Sequence, residues 1–461
     1  MSDSSNGNKV YGGTDATITG TGTGTGTERR PDGKIDRTRP IIIVQGAQWG
    51  SEAKGAVAAE LCLRLNVDCA VRTGGVNAGH TVYHNGIAYI MQQLPTGWVN
   101  PNTKLVIGPG AYINRKILHK ETTTLSYVGR STKNRLYIDP RAGIHMDAHT
   151  TMSAESGRHH RIGATGKGCS EAVMDRIRFR GVGNALYGST NGGDYISTNT
   201  EALLNDAYDD GKRILLEGTQ GQGLDILLGP WPYVTHKPTS PAQWMVENGL
   251  SPALKTEIVA VARTYPIRVA GNSGPMPGEI RWEDLAHEIG RVSDHALEVW
   301  NKTCEAVGEE WAFCSPPRLP RWTDTGMANI RFDLWPQYQR TQYADGVSEF
   351  HKEVFSRLYE GVKEELGKLF EFTTVTKKLR RIARWDAETM KEAMRQMRPQ
   401  YVVLTFLNYE FPELWGETEP DKVRAHTATM RFIEKREKEL GVEIKYVTTG
   451  PEGKNMIEIR Q

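Results

Sequence analysis

The chain has 461 residues, 38% hydrophobic and 24% charged, with a formal net charge of +2. This is the balance of a water-soluble globular protein long enough to bury a large core. A charge so near zero gives no reason to expect a nucleic-acid or membrane partner. No apolar run reaches the length of a membrane span, and no secretory apolar core opens the sequence. The five cysteines, Cys62, Cys69, Cys169, Cys304 and Cys314, form no C-x-x-C pair and no zinc spacing, so they read as buried thiols of a reducing cytoplasm.

Residues 1–39 are rich in Gly, Ser and Thr and cannot bury enough apolar surface to offset their ordering entropy; they read as a flexible tail before one catalytic domain, 40–461. Ile41 to Val44, after Pro40, reads as a short buried parallel strand. A loop with Gly46 and Gly50 follows, then an alanine-rich helix from Ala53 through Leu61 with Val57, Leu61 and Leu65 on one face, then a strand Cys69 to Thr73. Further strands are expected at 104–107, 136–139, 213–217, 257–265, 400–406 and 443–447, with helices at 347–370 and 424–440. This alternation predicts an α/β fold: a largely parallel central sheet with flanking helices and long insertions, and a P-loop-like nucleotide-binding loop.

A strand, glycine loop and helix start present backbone N–H groups and a positive helix end to an anion. The loop is not a Walker A sequence: from Gly46 the lysine comes two residues late, and no Ser or Thr follows Lys54. An arbitrary glycine loop is more often an unliganded turn, and Lys54 alone would read as a solvated lysine at a helix start. The wording of the segments favours chemistry. They are Gly46-Ala-Gln-Trp-Gly-Ser-Glu-Ala-Lys-Gly55, Asn77-Ala-Gly-His-Thr81, Ala164-Thr-Gly-Lys-Gly168, Glu217-Gly-Thr-Gln-Gly-Gln222, Trp231-Pro-Tyr-Val-Thr235 and Thr448-Thr-Gly-Pro451.

These segments resemble, from about residue 41 to the end, the adenylosuccinate synthetase family, with its G-x-Q-W-G-D-E-G-K-G, N-x-A-G-H-T, T-T-G-R-G, E-G-A-Q-G, Y-P-Y-V-T and S-T-G-P motifs. The resemblance implies that Gly50, Ser51, Glu52, Ala53, Lys54, Gly55, Gly79, His80 and Thr81 wrap a nucleoside triphosphate, with Gly450 and Pro451 beside its base. It implies that His80 is the general acid and that Gln220 also serves catalysis. Asn77, Ala78, Thr165, Gln220 and Thr235 would bind the purine monophosphate, with Ser51 at its base. An arginine reaching the neighbouring subunit's site would join them, which makes a homodimer the expected assembly. Strict counting puts Phe179 at that position, and Arg178 or Arg180 can substitute. Mg²⁺ is the implied cofactor, with Ser51 and the Gly79 carbonyl as its candidate ligands. The loop Val269 to Gly278 would lie near the ribose. Ser315, Arg318 and Arg321 stand where the family's aspartate loop is expected.

Two departures carry information. The family's aspartate in the first motif removes a proton from N1 of the purine; here that position is Ser51, and the glycine two residues on is Ala53. A neutral hydroxyl leaves room for a 2-amino group and can bond to it, which points to guanine. The family's T-K-x-D, which reads the guanine of GTP, is Thr405-Phe-Leu-Asn408 here; an asparagine suits adenine. The pattern resembles the phage-type 2-aminoadenylosuccinate synthetases. It implies a ligase that joins L-aspartate to C6 of dGMP using ATP or dATP, in a host cytoplasm if phage-encoded. The alternatives are a conventional synthetase acting on IMP with GTP, and an inactive nucleotide-binding homologue.

Overall fold

The computed structural model describes residues 40–179, 195–290, 369, 371 and 379–460. The expected helix at 347–370 apart from Leu369, the tail, Arg180 and the aspartate-loop candidates Ser315, Arg318 and Arg321 lie outside the described residues.

The centre is a ten-stranded sheet. In chain order its strands are β1 (Ile41–Gly46), β2 (Cys69–Arg72), β3 (Lys104–Ile107), β4 (Leu136–Ile138), β5 (Ile196–Ser197), β6 (Ile214–Gly221), β7 (Thr256–Arg263), β8 (Tyr401–Thr405), β9 (Ile444–Thr448) and β10 (Met456–Glu458). The spatial order is β10-β9-β8-β7-β1-β6-β2-β3-β4-β5. Every neighbouring pair is parallel except β9–β10. The chain builds outward from β1 to the β5 edge, returns to insert β6 between β1 and β2, then continues on the far side of β1. The carboxyl ends beside such a reversal are where open parallel sheets bind ligands.

Both faces are covered, as a parallel sheet requires. Ile42 and Val44 point to one apolar cluster with Leu61, Trp98 and Leu215. Ile41 and Ile43 point to the other with Leu216 and Trp244. A third cluster packs β8 and β9 against the helices Ala387–Met397 and Thr427–Leu440.

Helix α1 (Lys54–Arg64) follows the loop after β1 and buries Val57, Ala58 and Leu61. It begins close against the hairpin His80–His84/Ile87–Met91: a Cβ at Gly55 would lie 2.5 Å from the Cβ of His80. His80 is thus the first residue of a strand, paired with Met91. β6 runs on through the glycines to Gly221, the expected 424–440 helix breaks at His426, and β10 follows the expected last strand.

The loop enters α1 through three left-handed residues, Gly50 (φ 90°), Ser51 (φ 63°) and Ala53 (φ 67°). Ala53 is the helix N-cap and supplies no side-chain cap, so the first amides of α1 are left for another acceptor. An alanine in this conformation is strained, and the family carries glycine there. Ala53→Gly is therefore expected to raise stability by roughly 0.5–1 kcal/mol, the relief exceeding glycine's entropic cost. Chemical denaturation checks this; a lower midpoint would contradict it.

Candidate active site

The loop after β1 is braced from inside. Glu52 is fully buried, and its carboxylate accepts from the backbone N–H of Gln48 (3.1 Å) and Gly50 (2.8 Å) and from Lys54 Nζ (2.5 Å). Glu52 thus faces inward and shapes the loop, while Lys54 and the residues around it line a cavity of about 530 Å³. That cavity opens at the carboxyl ends of β1, β6 and β8, beside the reversal in strand order.

One wall is built on Glu217 of β6, a carboxylate buried to 2% exposure. Its Oε1 accepts from Arg72 Nη1 at 3.1 Å and pairs with His80 Nδ1; its Oε2 accepts from Thr96 N (2.7 Å) and Thr96 Oγ1 (2.9 Å). Arg72, at the end of β2, also donates to the Ala78 carbonyl at 2.6 Å and so holds the loop that carries Asn77 and Gly79. Burial and the Arg72 cation push His80 down to about 4, against the pull of Glu217. The ring is therefore neutral, with its Nδ1–H given to Glu217 and a lone pair left on Nε2 at the cavity. An anionic group placed beside it would favour the imidazolium and turn Nε2 into a donor.

The opposite wall is built on Glu371. It accepts from Arg263 Nη1 (3.0 Å) and Nη2 and from the Tyr409 hydroxyl (2.7 Å). Burial works against its charge, but Arg263 overrides this and holds the carboxyl below its usual range. Arg263 ends β7, lies 3.6 Å from the centroid of the Phe406 ring, and donates from Nη1 to the Ser51 carbonyl at 3.2 Å. Arg380 donates from Nη1 to Ser51 Oγ. Burial pulls Arg380 down to about 10, against Glu371, and it stays charged at neutral pH.

Of the residues singled out from sequence, Gly50, Ser51, Ala53, Lys54, Gly55, Asn77, Ala78, Gly79, His80, Thr81, Thr165, Gln220, Asn408, Gly450 and Pro451 line this one cavity. Val269 of the glycine-rich loop lines it too. Three described residues do not. Glu52 braces the loop, Thr235 is half-buried with its amide given to Leu224, and Arg178 is exposed on the helix Cys169–Phe179. Arg72, Glu217, Arg263, Glu371 and Arg380 were not singled out as site residues from sequence. A charged residue ending an apolar strand was the available signal for the first three; Glu371 and Arg380 carried none.

A cation is poorly served by the side chains present. Among the described residues no cluster of three His, Cys, Asp or Glu side chains could hold a metal. Ser51 Oγ already accepts from a guanidinium, which disfavours a metal ligand role for it. Gly79 lines the cavity, and a backbone carbonyl is an oxygen ligand of the kind a hard cation takes.

The family model for adenylosuccinate synthetase matches residues 43–186 and 190–410. The adenylosuccinate synthetase of Pyrococcus sp. (strain ST700) is 28% identical over 423 residues, spanning 91% of this chain and 99% of the relative. That of Methanococcus maripaludis (strain C7) is 29% identical over 422 residues, spanning 91% and 98%. Two solved structures share the fold. Succinoaminodeoxyadenylate synthetase of cyanophage S-2L, bound to dGMP and dATP as an energy donor, gives a TM-score of 0.62 at 22% identity over 92% of this chain and 96% of that one. Fully ligated adenylosuccinate synthetase from Plasmodium falciparum gives 0.63 at 18%, over 92% and 100%.

His80 at about 4 and His236 at about 3 both lie below the unfolded histidine value of about 6.5. Between those values the unfolded chain binds more protons, so stability falls as pH drops from about 6.5 towards 4. His80→Gln is expected to flatten that decline, read as denaturation midpoint against pH. An unchanged slope would show that His80 is not held neutral.

Proposed function

Because this chain belongs to the adenylosuccinate synthetase family, whose members are C–N bond-forming ligases, we propose that it joins L-aspartate to C6 of dGMP with ATP or dATP as phosphate donor. The observation that carries this reading is Ser51. Where the family has a carboxylate at the purine edge, this chain has a hydroxyl whose oxygen accepts from Arg380. A serine oxygen has a second lone pair, which can accept from the 2-amino group of guanine. The cyanophage protein, which has the same fold, was solved with dGMP and dATP.

The chemistry has two steps. The γ-phosphoryl group moves to O6 of the purine, N1 gives up its proton to water, and the nucleoside diphosphate leaves. The aspartate amine then attacks C6, the C6–O6 bond breaks, and O6 departs with the phosphate. Lys54 and the first amides of α1 stabilise charge on the transferring group. The incoming phosphate raises the proton affinity of His80, whose Nε2–H then donates towards O6. Gln220, in a left-handed conformation (φ 65°) on the cavity wall, orients the acceptor. Arg380 adds positive charge to the wall beside Ser51, which suits an anionic nucleophile. Mg²⁺ bound through the phosphates, with the Gly79 carbonyl, would neutralise the charge of the triphosphate. Asn408, buried beside Pro451 and Thr448 on the same wall, suits adenine in the donor. The homodimer belongs to the same reading, supported by the exposed apolar Leu227, Leu228 and Trp231 next to the Thr235 segment.

The second reading is a conventional synthetase acting on IMP with GTP, favoured by the names of the sequence relatives. Steady-state phosphate release separates the readings when dGMP, GMP and IMP are crossed with ATP, dATP and GTP in the presence of aspartate and Mg²⁺. Turnover with dGMP and an adenine triphosphate is expected, and Ser51→Asp is expected to shift preference towards IMP by about tenfold, roughly 1.4 kcal/mol. Preference of the unmodified enzyme for IMP with GTP would overturn the proposal; no turnover with any pair would indicate an inactive homologue.

A further inference from the structure

Thr165 lines the cavity from a turn, residues 163–168, that has little conformational preference of its own: Gly163, Gly166 and Gly168 all have left-handed φ, between 63° and 73°. One end is wedged against the backbone of Ser273, where a Cβ on Gly163 would come within 2.8 Å. The other end is held by two buried histidines that take no part in the chemistry above.

His145 is 4% exposed. Its Nε2 lies 2.6 Å from the Lys167 carbonyl, and its Nδ1 lies 3.2 Å from Asn114 Nδ2. The Asn114 amide cannot turn over, because its Oδ1 caps the helix Arg115–Tyr127 by accepting from the N–H of Lys116 and Ile117, both at 3.1 Å. Its NH₂ group must therefore face the ring, and His145 Nδ1 must accept. The proton of the neutral ring is then on Nε2, where it donates to Lys167. Burial lowers the proton affinity of His145 in the same sense. His149 makes a parallel clasp: Nδ1 accepts from Met146 N at 3.0 Å and Nε2 donates to Asp175 Oδ2 at 2.8 Å, on the helix that the turn leads into. The two rings are 5.6 Å apart, edge to face, and Gly168 packs on the backbone of His149.

We propose that His145 is a positioning residue for the monophosphate substrate: its tautomer, locked by Asn114, grips the Lys167 carbonyl and so sets Thr165 at the cavity wall. The inference rests on the reading of Thr165 as a contact of the monophosphate. Losing one hydrogen bond of this kind corresponds to about a twofold to tenfold effect.

Amide hydrogen exchange on the full-length protein without ligand reads the clasp, and calorimetric titration of dGMP and of ATP reads its consequence. His145→Leu is expected to speed exchange at residues 163–169 about tenfold and to weaken dGMP binding similarly, with ATP affinity unchanged. His145→Gln, which can both donate to Lys167 and accept from Asn114, is expected to restore both. Asn114→Ser keeps a capping oxygen but does not reach the ring, and is expected to change both in the same direction by a smaller factor; it stands in if the leucine variant does not fold. Unchanged exchange at 163–169, or equal losses of dGMP and ATP affinity, would overturn the proposal. Faster exchange in an enzyme whose unmodified form binds no purine monophosphate would support the clasp and overturn the reading of its ligand.

Discussion

A carboxylate shut away from water organises this molecule. Burying an ionised group costs several kcal/mol unless partners surround it. Glu217 has them on every side: Arg72 from β2, His80 from the hairpin, and the amide and hydroxyl of Thr96. Each partner belongs to a different segment, so satisfying one charge fixes several pieces of chain at once. Arg72 passes the constraint on to the Ala78 carbonyl, and His80 passes it to α1 through the close approach at Gly55. The same contact sets the chemistry of His80, because Glu217 takes its Nδ1–H and leaves Nε2 as the atom that faces a ligand.

A second carboxylate, the half-buried Glu371, does comparable work across the cavity. It neutralises Arg263, which would otherwise be an unpaired cation at the end of an apolar strand, and through Arg263 it holds the backbone of Ser51. Arg380 reaches the hydroxyl of the same serine. Replacing a carboxylate by serine at this point changes the balance of a wall rich in arginine. It leaves Arg380 donating to a neutral hydroxyl instead of facing a carboxylate.

The parts of the fold legible in the sequence are those where local pattern and global position agree. The β-branched run at 41–44, the glycine loop and the Val57–Leu61 face of α1 are one such unit, and the strands at 104–107 and 401–405 are others. The hairpin after Gly79 was not legible, because its strands are half-exposed and short. β10 is three residues long and pairs antiparallel at an edge, leaving almost no periodicity to read. Most of the cavity's lining was legible through its motifs. The ionic frame behind it was not: Arg72 and Glu217 are 145 residues apart and Ser51 and Arg380 are 329 apart, and no local pattern reports such a pairing. Glu52 is the converse case. It lies inside a phosphate-loop motif, yet its buried carboxylate turns inward and ties down the loop.

In the proposed reaction a phosphoryl group moves onto O6 of a 2-aminopurine before aspartate displaces it. The most direct measurement starts from dGMP carrying ¹⁸O at O6 and follows the label by mass spectrometry during turnover with aspartate and ATP. The label is expected in the released phosphate, one atom for each succinyl product formed. Turnover that releases unlabelled phosphate would contradict it.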